Sequence, residues 1–271
     1  MYTVEKLETL DLPELGPYRT MRQQAEHRAQ GIFVAEGEKV VRRLLASRLG
    51  VVSALLPEKW LRELAPLLEA RPEAVRVFVA EKKLLETLTG FSMYQGLLAV
   101  GRVPAPLSLE ELLAKGARPR LLAAADGLTS AENLGALARN CAAFHVQGLL
   151  VGETSASPFL RRAVRNSMGA VFHLPVLETA SLVQTLGQLR AHGLRLVAAH
   201  PHAQGRTLRE ADFRSDCCVV FGSEGYGLSP AVLAACDEAA AIPMPPSVDS
   251  LNVGSAAAVF LYEANRQRNR I

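Results

Sequence analysis

Residues 217–229 read CCVVFGSEGYGLS, and residues 242–256 read IPMPPSVDSLNVGSA. Each stretch passes from an apolar strand into a loop with an unusual backbone composition. The first loop places a carboxylate among three glycines, which lets a ligand approach bare backbone. The second loop is stiffened by three prolines, and a polar cluster follows them. Because open α/β sheets bind ligands at the carboxyl ends of their strands, the two loops predict a binding site at that edge.

The composition is normal for a soluble globular protein with a small positive charge. A chain of 271 residues is long enough for one large domain or two ordinary ones. The net charge of +3 permits a nucleic-acid partner without requiring one, because the basic residues are not gathered into a tail. No apolar run approaches the ~20 residues that a membrane span needs, and the first residues are not a signal peptide. We therefore expect a cytoplasmic protein with no membrane partner.

The cysteines and histidines predict no metal site. The four cysteines are Cys141, Cys217, Cys218 and Cys236. Their spacing matches no zinc site, and three of them lie in apolar stretches, which is typical of reduced thiols used as small core residues. His200 and His202 have no metal-binding partner at a useful spacing, and a surface loop explains them best.

Prolines on both sides of a polar stretch divide the chain. We predict a first domain over residues 1–103, a linker over residues 104–118 that carries a short helix, and a second domain over residues 119–271. Strand-like and helix-like segments alternate in the first domain, which predicts a small α/β fold. The strands expected there are residues 32–35, 51–56, 76–79 and 95–100.

The second domain alternates more regularly between strands and helices. The expected strands are residues 120–125, 148–151, 172–177, 194–199, 217–221 and 239–242. The expected helices lie near residues 133–144, 181–191, 230–236 and 253–268. Continuous apolar strands that alternate with helices predict a parallel sheet buried on both faces.

A candidate arginine lies on the first helix of the second domain. Thr129 or Ser130 can cap this helix, and Arg139 lies off its buried stripe. Glu132, Gly135 and Arg139 share another face of the helix, and the glycine, about one turn before Arg139, clears space for a ligand to contact that arginine. A solvent-exposed arginine without a function explains the same pattern equally well from the sequence alone.

The two loops differ from common nucleotide-binding motifs. The glycine spacing around Glu224 is not that of a dinucleotide fingerprint, and no lysine with serine or threonine follows to form a phosphate-binding loop. An ordinary strand-to-helix turn is the alternative, although a carboxylate between glycines at a strand end favours a ligand. In the second loop, capping of the last helix needs only one polar residue, whereas both Ser250 and Asn252 are available.

Three segments together resemble the motifs of the SpoU (TrmH-like) branch of the SPOUT methyltransferases. They are residues 133–140, 221–229 and 242–253, and their order, spacing and strand context all match. The likeness covers residues 119–268. The first domain is similar, more weakly, to the small L30e-like substrate-binding α/β domain that often precedes this catalytic domain. Gly254 departs from the pattern, since many relatives carry serine there.

The resemblance implies an enzyme that transfers a methyl group from S-adenosylmethionine to a ribose 2′-hydroxyl of RNA without a metal. Ribosomal RNA is favoured over transfer RNA because a separate first domain can grip a structured element. A deep trefoil knot in the parallel-sheet domain and a homodimer through that domain are also implied. By motif position the catalytic residues are Asn133, Arg139, Glu224, Ser250 and Asn252. The cofactor-binding positions are Gly222, Gly227, Ile242, Met244, Leu251 and Val253.

Other functions stay open from the sequence. A catalytically idle RNA-binding protein could keep this fold, although the intact motif side chains argue against it. A knotted base methyltransferase is disfavoured by residues 250–252. A nucleotide-dependent oxidoreductase lacks its fingerprint.

Overall fold

A computed structural model of the chain describes residues 1–21, 23–89, 96–201 and 206–269. The chain forms two compact units. The first consists of residues 1–105 and 159–172, and the second of residues 106–158 and 173–271. Residues 159–172 belong to the first unit, although they lie within the range 119–271 expected for the second domain, and the expected domain bounds stay predictions. The roles expected for the two halves stay predictions.

The first unit is built on a five-stranded mixed sheet in the order β1-β4-β3-β5-β2. Its strands are β1 (Tyr2–Lys6), β2 (Ile32–Glu36), β3 (Val51–Leu56), β4 (Val75–Val79) and β5 (Leu98–Arg102). Its helices are α1 (Gly16–Arg19), α2 (Gln24–Ala29), α3 (Glu38–Ala46), α4 (Glu58–Glu69) and α5 (Lys82–Thr89), with a 3-10 turn at Pro13–Leu15. The sequence analysis did not predict β1, whose five residues include only two apolar ones, Tyr2 and Val4; four of the five residues are exposed. Gln95, the expected start of β5, lies outside the described residues.

Residues 159–172 pack into the first unit through aromatic rings. The ring of Phe33 on β2 lies 5.4 Å from the ring centroids of both Phe159 and Phe172. Gly101 on β5 leaves room for this ring, because a Cβ atom there would approach the Phe33 ring to 2.4 Å. The apolar run expected as a strand at 172–177 is therefore divided, and Phe172 ends a 3-10 turn of the first unit instead.

The same segment is joined to β2 by a nearly buried ion cluster. Glu36, which is 8% exposed, accepts hydrogen bonds from Arg161 and Arg165 on a short helix, α8 (Arg161–Asn166). Removing one member of a buried ion pair leaves the partner charge without compensation in a region of low polarity. These arginines therefore contribute to the packing of the first unit.

Replacement of Glu36 by glutamine is expected to destabilise the first unit by about 2 kcal/mol, since Arg165 is half exposed and water screens part of the loss. Calorimetry should show the first unit's transition lowered by roughly 8 °C. Glu38→Gln is the matched control, because the side chains of Glu38 and its ion-pair partner Arg42 are both about one-third exposed. Equal transition temperatures for the two variants would contradict the assignment.

The second unit contains a six-stranded sheet in the order β11-β9-β10-β6-β7-β8, with every pairing parallel. Its strands are β6 (Leu121–Ala125), β7 (Gly148–Val151), β8 (Val176–Glu178), β9 (Arg195–Ala199), β10 (Cys217–Phe221) and β11 (Glu238–Ala240). Its helices are α6 (Leu109–Lys115), α7 (Ala131–Ala143), α9 (Leu182–Ala191), α10 (Pro230–Ala235) and α11 (Val253–Gln267). The predicted parallel sheet is confirmed, and α6 is the short helix expected in the linker.

Both faces of this sheet are covered. Leu121 and Ala123 face a core that includes residues of α7 and α11. Leu122 and Ala124, one residue along, face a second core that includes residues of α6, α9 and α10. This alternation is the reason why the strands are apolar throughout rather than at every second position.

The four cysteines are free thiols, as expected, and three of them are buried. Burial raises the pKa of Cys217 to about 11 and that of Cys236 to about 12, so neither is ionised near neutral pH. Among the described residues, no helix is both long and apolar enough to cross a membrane.

Candidate active site

The glycine-rich loop after β10 is a tight turn that glycine alone can form. The backbone N–H of Ser223 donates to the carbonyl of Gly227, and the N–H of Gly227 donates back to Ser223, both at 2.9 Å. A Cβ atom on Gly222 would lie 2.2 Å from the Gly227 carbonyl carbon, and Gly227 has a φ of +67°. The backbone is thus exposed to a ligand at the end of the strand.

Asp126 fixes the far end of this loop. Asp126 is buried at the end of the neighbouring strand β6, and its carboxylate accepts a hydrogen bond of 2.7 Å from the backbone N–H of Ser229. Ser229 in turn caps α10 through the N–H of Val232. Both ends of the loop are therefore held by the sheet.

A cavity of about 330 Å³ opens between this loop and the chain that follows β11. All six predicted cofactor positions line it, namely Gly222, Gly227, Ile242, Met244, Leu251 and Val253. The rings of Phe221 and Phe260, which meet edge to face at 5.9 Å, line it as well. Apolar walls next to open backbone fit an adenosine-containing cofactor such as S-adenosylmethionine, because the base can pack while backbone groups bind its polar atoms.

His200 and Pro201 also line this cavity, which differs from the surface loop that the sequence predicts for His200. They follow β9, which pairs with both β10 and β11. Their position at the site depends on the strand order, and no motif in the sequence reports that order. His202 lies outside the described residues.

Three predicted catalytic side chains form one hydrogen-bonded network beside the cavity. Glu224 accepts a hydrogen bond of 2.5 Å from the side-chain amide of Asn133 and another from that of Asn252. Asn252 also donates to the amide oxygen of Asn133 at 3.2 Å. The structure thus brings together residues that are 91 and 119 positions apart in the sequence.

The helix ends fix the direction of this network. The side-chain oxygen of Asn252 caps α11 by accepting from the N–H of Gly254 at 2.9 Å, so its amide nitrogen points to Glu224. Ser130 caps α7 by accepting from the N–H of Asn133. Because the amide nitrogen of Asn252 can only donate, the side chain at position 224 must accept its hydrogen bond. The carboxylate of Glu224 has two oxygens and can accept hydrogen bonds from Asn252 and Asn133 together.

Glu224→Gln is therefore expected to lower the rate of the reaction about tenfold. The glutamine has only one oxygen, so its NH2 group would face the NH2 group of either Asn133 or Asn252, and that hydrogen bond would be lost. The network is exposed, so the melting temperature should move little. A steady-state rate and a thermal melt, measured side by side, check both statements. A variant with the wild-type rate would show that the carboxylate charge is dispensable.

Arg139 and Ser250 lie outside this network. Both are exposed, and neither makes a hydrogen bond or an ion pair within the described parts of the chain. Ser250 lines the cavity, whereas Arg139 does not. The next residue, Asn140, joins α7 to α11 by donating to the carbonyl of Gly254 at 2.5 Å. Gly254 permits that approach, because a Cβ atom there would come within 3.0 Å of Ala136.

A second cavity, of about 260 Å³, lies on the other side of the glycine-rich loop. Residues 127–130 and Asn133 form one wall, and residues 223–226 form the other. Glu224 therefore borders both cavities. Within the described residues, no cluster of three or more histidine, cysteine, aspartate or glutamate side chains could hold a metal ion.

Known proteins resemble this chain over most of its length. An uncharacterised tRNA/rRNA methyltransferase of Mycobacterium tuberculosis is 35% identical, over 89% of this chain and 83% of its own. The 23S rRNA (guanosine-2′-O-)-methyltransferase of Shewanella oneidensis is 33% identical, over 76% of this chain and 84% of its own. The crystal structure of the SpoU methyltransferase AviRb from Streptomyces viridochromogenes with S-adenosylmethionine superposes with a TM-score of 0.81 at 27% identity, covering 95% and 98% of the two chains.

A covered parallel sheet, a cofactor-sized cavity at its carboxyl edge and these relatives define an S-adenosylmethionine-dependent RNA ribose methyltransferase. The model of the SpoU rRNA methylase family matches residues 120–262, which is more than half of the chain. The chain belongs to that family.

Proposed function

We propose that this enzyme methylates a ribose 2′-hydroxyl in ribosomal RNA, and that Arg139, Asn133, Glu224, Ser250 and Asn252 form its catalytic centre. The network around Glu224 carries the proposal, because Glu224 borders both the cavity for the cofactor and the second cavity. A nucleotide in the second cavity would lie beside the methyl donor. The Shewanella relative acts on ribosomal RNA, which supports the choice of substrate.

The reaction is a displacement in which the ribose oxygen bonds to the methyl carbon as the bond from that carbon to sulfur breaks, and the hydroxyl proton is released to solvent. S-adenosylmethionine supplies a methyl group that its positively charged sulfur has already activated. The chain's task is to align the two reactants, and such alignment accounts for a large part of many enzymatic rate enhancements. The predicted positions from Gly222 to Val253 would hold the cofactor, and the network of Asn133, Glu224 and Asn252 would orient the ribose.

Arg139 is assigned to charge stabilisation. A guanidinium remains protonated in proteins, so it is a poor acceptor for the hydroxyl proton. The same group can stabilise negative charge that develops on the ribose oxygen, or bind the adjacent phosphate. Arg139 is exposed and has no hydrogen-bond or ion-pair partner among the described residues, which supports a role in contacting RNA. Ser250, exposed at the rim of the cavity, is available to orient the same nucleotide.

Several broader features belong to the same proposal. The second unit carries the deep trefoil knot, and the first is an L30e-like domain that grips structured RNA in the cytoplasm. The enzyme is a homodimer through α11, where Val259 and Tyr262 are 40% and 53% exposed on one side of the helix.

Sedimentation of the Tyr262→Glu variant beside the wild type tests the dimer contact. The wild type should sediment as a dimer and the variant as a monomer, and a monomeric wild type would contradict the proposal.

The test of the substrate is incubation with methyl-labelled S-adenosylmethionine. Unmodified ribosomal RNA and transfer RNA, both transcribed in vitro, serve as alternative acceptors. A 2′-O-methyl group blocks alkaline cleavage of the adjacent phosphodiester, so a gap in the hydrolysis ladder locates the product. Label in transfer RNA alone would overturn the choice of ribosomal RNA, and label in a base would overturn the ribose assignment.

A further inference from the structure

Tyr226 lies in the glycine-rich loop that separates the two cavities and lines both of them. The residue is 97% exposed, more than any other large hydrophobic residue in the described parts of the chain. The neighbours Gly225 and Gly227 offer no side chain to cover its ring. The backbone under the ring is fixed, because the N–H of Tyr226 donates to the hydroxyl of Ser223 at 3.2 Å. A rigid turn therefore presents an uncovered aromatic face beside the candidate site.

The second cavity is lined mainly by polar residues and glycines. Leu128 lies in the apolar part of its wall and is buried, whereas Thr129 is exposed. Gly225 leaves the opposite side open, since a Cβ atom placed there would have no neighbour within 4 Å. A flat group can enter along that side with its edge toward the polar wall.

We propose that Tyr226 stacks on an unpaired base of the RNA substrate and that the second cavity receives this nucleotide. The inference rests on the proposed function, because it places the ribose of that nucleotide beside Glu224, on the border of the two cavities. Proteins read RNA mainly at single-stranded nucleotides, whose exposed bases stack on aromatic side chains. Stacking on one ring tolerates any base, so Tyr226 positions the nucleotide and does not choose its identity.

The test compares Tyr226→Ala, Tyr226→Leu and Tyr226→Phe with the wild type on in vitro transcribed ribosomal RNA. Loss of stacking is expected to raise the KM for RNA in the alanine and leucine variants by about 5- to 150-fold. The dissociation constant for S-adenosylmethionine should change much less than the KM for RNA, because Tyr226 is one of many residues that line the first cavity and the rings of Phe221 and Phe260 remain there. The phenylalanine variant retains the ring and should restore most of the affinity for RNA.

A second measurement tests the base itself. RNA with an abasic residue at the methylated position should bind the wild type more weakly, while Tyr226→Ala should bind intact and abasic RNA alike. The inference fails if Tyr226→Leu keeps the wild-type KM, or if Tyr226→Ala weakens cofactor binding without changing the KM. If the wild type labels no RNA at all, the proposed function fails, which is a separate and recognisable outcome.

Discussion

Arg139→Ala is expected to reduce methyl transfer by about 10²- to 10³-fold, the usual consequence of removing a group that stabilises charge in a transition state. The fold should be unaffected, because the side chain is exposed and makes no bond within the described residues. Cofactor affinity should also be unchanged, since Arg139 does not line the first cavity. Single-turnover rates with saturating cofactor and RNA isolate the chemical step from binding.

Two further variants make this result specific. Arg209→Ala removes another exposed positive charge of the second unit, away from both cavities, and should keep the wild-type rate. Arg139→Lys keeps the charge but loses the planar fork that binds phosphate or an oxyanion with two hydrogen bonds. A lysine variant with full turnover and an unchanged pH profile would rule out a special role for the arginine.

Gly222→Ala is expected to displace the glycine-rich loop and to abolish tight cofactor binding. The added carbon would lie 2.2–2.4 Å from three backbone atoms of Gly227 and Leu228, so no change of side-chain rotamer can relieve the overlap. Overpacking of this kind costs about 1–3 kcal/mol. If the loop moves to relieve it, the first cavity loses one wall, and affinity for S-adenosylmethionine should fall by roughly 10- to 100-fold.

Gly225→Ala provides the matched control for stability. It adds the same carbon three residues along the same loop, where the position is open. Its melting temperature should equal that of the wild type, whereas Gly222→Ala should melt about 3–10 °C lower. Calorimetric titration with S-adenosylmethionine measures the affinity of the Gly222 variant. Wild-type values for that variant in both measurements would show that the loop is softer than its geometry indicates.

The strands of the second unit could be predicted because each is a short apolar run, and five of the six expected runs lie on observed strands with similar bounds. The exception is the run at 172–177. A periodicity argument cannot tell that Phe172 packs on Phe33, more than a hundred residues earlier. The apolar pattern of the sequence indicates that a residue is buried, but it does not indicate in which of the two units that residue packs.

For the candidate site, too, the sequence predicts individual residues but not their contacts. Spacing and resemblance predicted Asn133, Glu224 and Asn252, but only the fold shows that one carboxylate accepts from both amides. His200 and Pro201 escaped prediction, because their place at the cavity follows from β9 pairing with both β10 and β11. Tyr226 appeared in the sequence as one loop residue among glycines, and only its exposed ring distinguishes it.

The aromatic packing of residues 159–172 also bears on how the chain can be cut. A protease that cleaves the exposed Pro104–Pro106 stretch would produce two fragments, yet the later fragment would still supply Phe159, Phe172 and α8 to the sheet of the earlier one. We expect the fragments to co-elute in gel filtration after such a nick, and to separate only in denaturant. In the nicked protein, residues 1–105 would thus be held to residues 159–172 by noncovalent contacts alone. A protein of residues 1–103 expressed by itself would lack part of the first unit's core.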